Sequence, residues 1–252
     1  MPVLTSGQQE RKSKQRKIRN SEYYDMEGTF DRLYAESKKD KTFNHLMEII
    51  ESEENIKLAY RTIKKNTGSD TSGVDKRTIA DLAKLSEEEY VRLIRKQFSN
   101  YHPRPVRRVE IPKPNGKTRP LGIPTIVDRI VQQCILQVME PICEAKFSEN
   151  SNGFRPNRSA ETAIAQCMRL IQVQHLYHVV DLDIKGFFDN ISHTKLIRQI
   201  WALGIRDKKA VMHYKRDAES TCCSAKWEEN ISRTGYPARR YFVAIACKHR
   251  IE

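Results

Sequence analysis

The sequence predicts an α/β fold of the α+β kind, rich in helix, with one β-hairpin and a short strand late in the chain. Three observations predict it. Apolar residues recur at helical spacing through several windows between Phe43 and Trp201. The stretch Pro105 to Ile123 changes to β-type residues around Asn115-Gly116, a hairpin turn signal. Tyr177 to Ile184 is rich in β-forming residues and ends in the acidic pair Asp181 and Asp183.

Each element follows from local pattern. Met1 to about Asn20 carries Arg11, Lys12, Lys14, Arg16, Lys17 and Arg19 against Glu10, with few large apolar residues, and predicts a disordered basic arm. From Phe43 to Lys64, Leu46, Ile49, Ile50, Ile56, Leu58 and Ile63 predict one or two helices. Asn66 to Asp75, rich in Gly, Ser, Thr and Asp, predicts a loop. Thr78 to Asn100 predicts helix again, with Ser86 and Glu89 spaced as a capping box. Val127 to Glu140 predicts a helix that ends before Pro141, because proline lacks the N–H a helix interior needs. Ser159 is placed to cap a helix running to about Val173. A helix from Ser192 through Leu196, Ile197, Ile200 and Trp201 is expected to stop near Gly204. No internal repeat is present.

Bulk properties narrow the function. The 252 residues suffice for a hydrophobic core. The net charge of +13, with 45 Lys and Arg against 32 Asp and Glu, favours a polyanionic partner such as nucleic acid. No stretch reaches the roughly 20 apolar residues that cross a bilayer, and the N-terminus has no apolar signal core, so a cytoplasmic location is expected. The six cysteines lack zinc-ligand spacing and are expected to be free thiols.

The string Val179-Val180-Asp181-Leu182-Asp183-Ile184-Lys185-Gly186-Phe187-Phe188-Asp189-Asn190-Ile191 carries the most chemistry. Taken alone, its acids read as solvated strand-end and turn residues with the phenylalanines in a core. Over its whole length it resembles the first palm motif of bacterial group II intron reverse transcriptases. That resemblance implies two-metal phosphoryl transfer, in which carboxylates on a rigid strand end hold Mg²⁺. It implies that Asp183 is the catalytic metal ligand, that Ile184 offers a backbone carbonyl to the metal, and that Phe188 contacts the nucleotide and excludes a ribose 2′-hydroxyl. Asp181 is expected to be structural.

Further blocks resemble the same family. Ile111 to Pro124 is similar to its fingers hairpin, which implies that Lys113 and Arg119 grip the triphosphate of an incoming nucleotide and that Lys117 meets RNA. Asn152 to Ser159 is similar to a block whose arginines, here Arg155 and Arg158, approach template or nucleotide while Phe154 packs. Asn66 to Asp75 resembles the N-terminal extension loop that sets this family apart from retroviral polymerases, with Gly68 and Ser69 as template-RNA contacts. The matches run from about Asn44 to Lys209.

The resemblance then stops. The second acidic palm motif, Tyr-Ala-Asp-Asp or similar, is absent, and Tyr34-Ala35-Glu36 lies too far upstream to replace it. Back-translating Gly235 to Ile251 and reading from the second base of each codon permits Gly-Thr-Pro-Gln-Gly-Gly-Ile-Leu-Ser-Pro-Leu-Leu-Ala-Asn-Ile-Val-Leu, which resembles the family's next palm block. One extra base in the adenine-rich codons of Lys208 and Lys209 accounts for it. The expected organisation is therefore a basic, largely disordered arm (1–42), an N-terminal extension with fingers (43–176), a partial palm (177–209) and an out-of-frame tail without native fold (210–252).

Together these features imply the fingers and truncated palm of a right-hand polymerase. The parent activity would be RNA-directed DNA synthesis with Mg²⁺, using template RNA, a primer and dNTPs, alongside binding of group II intron RNA. Asp183 alone is expected to hold Mg²⁺ weakly, and the chain to be inactive by itself. Two rivals are a non-catalytic RNA-binding remnant and an unstable pseudogene product. A retron-type reverse transcriptase is the alternative within the enzyme class.

Overall fold

The structure is a computed structural model that describes residues 22, 24–112, 116, 118–153, 155–181 and 192–223; of 119, 120 and 218–223 it describes the backbone only. The elements run α1 (Glu27–Lys38), α2 (Leu46–Ile50), α3 (Glu53–Lys65), α4 (Ile79–Leu82), α5 (Glu87–Ser99), β1 (Arg107–Pro112), β2 (Thr118–Ile123), α6 (Ile126–Glu144), α7 (Ala160–Gln172), α8 (His193–Ala202) and α9 (Lys208–Cys223). The helix-rich α+β class is as expected.

Helix α6 is the axis of the core. Its sequence is apolar almost all round, as a helix surrounded by others must be. Ile130, Val131, Cys134, Val138 and Ile142 are fully buried there, and α1, α2, α3, α5 and α9 pack around it. Two side-chain amides enter this interface as a closed set. Asn55 donates to the carbonyls of Ile50 (2.9 Å) and Cys134 (3.1 Å), and Gln137 donates to Asn55 O (2.7 Å) and Asn55 Oδ1 (2.5 Å). Buried amides left unpaired would cost more than the packing gains, so their mutual satisfaction fixes how α3 sits on α6.

Caps fix the ends of the helices. Ser52, Ser86, Thr125 and Ser159 each accept a backbone N–H from the residue three positions on. The capping box expected at Ser86 and Glu89 is complete, Glu89 returning a bond to Ser86 N at 2.9 Å. After α8, Gly204 adopts φ +95°, and a Cβ there would lie 2.9 Å from Lys41 O. The chain then pairs with Phe43, whose N–H donates to Gly204 O and whose C=O accepts from Arg206 N, both at 2.8 Å.

Four expectations are corrected. Within the expected arm 1–42, residues 27–38 form a helix, because Leu33 and Ser37 find buried places against α6; residues 1–20 lie outside the described part. Helix α6 does not end before Pro141 but runs to Glu144. Proline's φ already suits a helix, and burial of Ile142 and Cys143, with Ser37 Oγ donating to Ile142 O at 2.7 Å, outweighs the single lost N–H. The strand expected over Tyr177 to Ile184 is absent over 177–181; Val179 and Val180 are 80% and 79% exposed, and β-propensity without a partner ladder makes no strand. Its remaining residues, 182–184, lie outside the described part.

The last correction concerns the tail. Residues 208–223 form α9, and Ala210, Val211, His213 and Tyr214 are buried, so the start of the segment expected to lack a fold is part of the core. Asp207 caps it, accepting from Lys209 N (2.9 Å) and Ala210 N (3.2 Å) while its other oxygen accepts from Met47 N (2.9 Å). Asp217 in turn accepts from Tyr101 OH (3.1 Å) and Gln132 Nε2 (2.6 Å).

Candidate functional site

The hairpin forms in the expected place. β1 and β2 pair antiparallel from Arg107 opposite Ile123 to Pro112 opposite Thr118. Gly116 takes φ +74°, a value that favours glycine in the tight connection. The backbone of Arg119 faces Ile111 in this register. Lys113 and Lys117 lie outside the described residues. Along β1 burial alternates, so Arg107, Val109 and Ile111 lie half-covered while Arg108, Glu110 and Pro112 face water.

The root of the hairpin is locked to the loop that precedes α4. Arg129, 4% exposed, donates from Nε to Pro124 O (3.1 Å), from Nη1 to Gly68 O (2.8 Å) and from Nη2 to Thr71 O. Arg107 Nε donates to Ser72 O at 2.9 Å. Gly73 lies so close to the start of α6 that a Cβ would stand 2.7 Å from Thr125 Cα and 2.9 Å from Pro124 O. The buried carboxylate of Asp128 accepts from Thr125 Oγ1 (2.6 Å) and Arg104 N (3.3 Å), and burial raises its pKa above the usual carboxylate range. Asp75 pairs with Arg104 at 3.9 Å. Loop, hairpin root and helix are therefore tied to one another by these contacts.

Gly68 and Ser69, the loop residues expected to meet RNA, both have roles in this junction. Gly68 is half-buried with its carbonyl accepting from Arg129. Ser69 is buried, with its N–H donating to Asn66 O and its C=O accepting from Ile79 N. The exposed residues of the same loop are Asn66, Thr67, Asp70 and Val74, with Lys76 and Arg77 exposed just after it.

Arg155 is placed beneath the surface. Its guanidinium forks onto Glu144, with Nε at 2.9 and 3.1 Å and Nη2 at 2.6 Å, and Nη1 donates to Ser151 O (2.9 Å) and Ser148 O. The side chain is 6% exposed and stacks over Phe147. This ties the segment before α7 to the end of α6. Arg158, half-buried, donates its backbone N–H to Arg155 O in the turn. Phe154 lies outside the described residues.

Asp181 is exposed at the end of the described stretch. Asp183, Ile184 and Phe188 lie outside the described residues, so the structure brings none of them together with the hairpin or apart from it. Among the described residues no group of three or more His, Cys, Asp or Glu side chains could hold a metal ion. Cys134 and Cys143 are buried free thiols whose pKa values burial pushes up, and Cys167 is free and exposed. No described helix is long and apolar enough to cross a membrane.

Sequence reasoning missed the clamp of Arg129 and Asp128. The signal was present: two adjacent charges interrupt the apolar run Ile126-Val127 and Ile130-Val131, and charges at such positions are seldom buried without partners.

Comparison with known proteins finds a family match that covers most of the hairpin. The family described as reverse transcriptase (RNA-dependent DNA polymerase) matches residues 111–237, which begins on β1 and runs past Lys209. The group II intron-encoded protein LtrA of Lactococcus lactis subsp. cremoris is 37% identical over 173 residues, 68% of this chain and 28% of its own length. Protein YkfC of Escherichia coli strain K12 is 37% identical over 166 residues, 62% of this chain and 42% of its own. The mitochondrial nuclear intron maturase 2 of Arabidopsis thaliana is 31% identical over 102 residues, 40% of this chain and 14% of its own. The chain thus spans less than half the length of each of these relatives. Because the family's pattern covers just over half of the sequence, the chain belongs to the reverse transcriptase (RNA-dependent DNA polymerase) family.

Proposed function

We propose that this chain is the fingers and the start of the palm of a group II intron-encoded reverse transcriptase, and that it binds intron RNA. The observation that carries this is the junction of loop, hairpin and α6, inside the family match, on a chain of net charge +13. A basic ribbon anchored at its root suits a polyphosphate, since each phosphate neutralised releases counterions. In this reading Lys113 and Arg119 take the incoming nucleotide's triphosphate, Phe188 its sugar, Lys117 and Arg158 the template, and Asp183 with the Ile184 carbonyl the Mg²⁺. Arg155, Gly68 and Ser69 position these groups through the contacts described above.

The absence of a second acidic motif supports a further part of the reading: the chain alone adds no dNTPs to a primer. Labelled group II intron RNA should bind with an affinity that falls steeply with salt, the log–log slope scaling as about 0.7–0.9 per phosphate contacted. Binding that ignores salt refutes the RNA reading, and primer extension by the chain alone refutes inactivity. The proposed frame change at Lys208 and Lys209 is decided on the DNA; a closed shifted frame, or one unlike the family, rejects it.

A further inference from the structure

Helix α8 buries one face, through Leu196 and Ile200, with Leu203 buried just past its end. Lys195, Arg198 and Trp201 lie away from that face, each a helical neighbour of the last at i, i+3 spacing. Lys195 and Arg198 are exposed and Trp201 is half-buried. The line continues past the glycine stop. Ile205 and Asp207 are buried on either side of Arg206, which is exposed. The N–H of Arg206 donates to Phe43 O at 2.8 Å, and its guanidinium lies over the Trp201 ring, 5.2 Å from the centroid. Helix α8 carries no acidic residue. Among the described residues no carboxylate comes within ion-pair distance of Lys195, Arg198 or Arg206.

A guanidinium laid on an indole is a flat charged plate whose outer side can stack a nucleobase, while cations beside it take phosphates. Packing alone explains less of the arrangement. It accounts for the cover over Trp201, but not for two further cations on the same helix without a counter-charge, since like charges there repel. We propose that Lys195, Arg198, Trp201 and Arg206 form a contact for an unpaired stretch of RNA, distinct in sequence from the hairpin. Arg206, backed by Trp201, stacks one base, and Lys195 and Arg198 take the adjoining phosphates. A duplex keeps its bases stacked on one another and offers the plate nothing. The four residues precede Lys208, so the contact is the same in either reading frame. The inference rests on the reading that the chain binds RNA and extends it to the kind of RNA bound.

The test measures binding of the full chain, over a range of salt, to a short oligoadenylate RNA, to the same backbone with abasic sites, and to a duplex of equal length. Arg206→Lys keeps the charge and loses the plane, so it should weaken oligoadenylate binding about five- to tenfold, the share of one stacked base, and leave abasic binding unchanged. Lys195→Gln with Arg198→Gln should weaken both single-stranded ligands and lower the log–log salt slope by about 1.4, the share of two phosphates on a single strand. Trp227→Phe leaves Trp201 as the one tryptophan, whose fluorescence should change with oligoadenylate and not with the abasic strand. Lys195, Arg198 and Arg206 face water, so the melting temperatures of their variants should match the parent, which separates lost contact from misfolding. Oligoadenylate binding indifferent to Arg206→Lys, equal affinity for base-bearing and abasic strands, or a preference for duplex each overturns the proposal. The earlier reading fails differently: group II intron RNA is then not bound, while oligoadenylate binding keeps its dependence on Arg206. Intron RNA bound with oligoadenylate binding indifferent to Arg206 removes only this contact.

Discussion

Replacing Arg129 with alanine should both destabilise the fold and release the loop from the hairpin root. The guanidinium is almost fully buried and donates to three carbonyls, those of Pro124, Gly68 and Thr71. Hydrogen bonds to a charged group contribute about 1.5–3 kcal/mol each, which sets a gross ceiling near 5–9 kcal/mol. The discount is large, because the Gly68 and Thr71 carbonyls belong to half-buried residues that water can reach once the side chain is gone. A net loss of about 3–5 kcal/mol remains, comparable to breaking other buried charged networks. Urea denaturation followed by circular dichroism should show the midpoint fall with little change in slope. Hydrogen exchange should accelerate first at residues 68–73. Arg129→Lys should recover less than half of the loss, since one ammonium cannot span three carbonyls set around a planar fork. A loss below about 1 kcal/mol, or full rescue by lysine, would refute the claim that this side chain clamps the loop.

Three further outcomes follow from the packing. Gly73→Ala should lower stability by about 1–3 kcal/mol or more in the same urea experiment, because the new Cβ meets the backbone of Thr125 and Pro124, which cannot rotate aside; an unchanged midpoint would count against the close approach. Burial, with Glu144 nearby, pushes the Glu140 carboxyl up to about 7 from 4.5. The native state then holds that proton more tightly than the unfolded chain, so stability is complete below about 4.5 and declines as pH rises to about 7; Glu140→Gln should remove this slope and add on the order of 3 kcal/mol at pH near 8. His213 has the opposite sign. Burial first, then Arg216, lowers its pKa, with Lys209 adding to this and Asp207 opposing it. Its Nδ1 is buried without a partner, and its ring lies against Phe98 and Tyr101. The unfolded chain protonates first, so stability should drop as pH falls below the ordinary histidine range of about 6.5, and His213→Leu should flatten that drop in pH-dependent melts.

The sequence by itself determined the elements whose cause is local. The capping pattern at Ser86 and Ser159, the β-hairpin around Gly116, and the glycine stop at Gly204 each depend on residues a few positions apart, and each is found where expected. The family too was legible, because its motifs are contiguous strings. Only tertiary structure decided the rest. Whether Pro141 ends a helix depends on what Ile142 and Cys143 bury against, and whether residues 27–38 order depends on Leu33 and Ser37 reaching α6. The fate of Tyr177 to Asp181 shows the converse, since a strand needs a neighbour that no local pattern supplies. Arg155 and Ser69 look alike in sequence to residues that meet ligands; their burial, and their contacts with Glu144 or within the 66–79 loop, are seen only in the fold. Burial is a sum over distant residues, and that sum is the quantity a one-dimensional pattern does not contain.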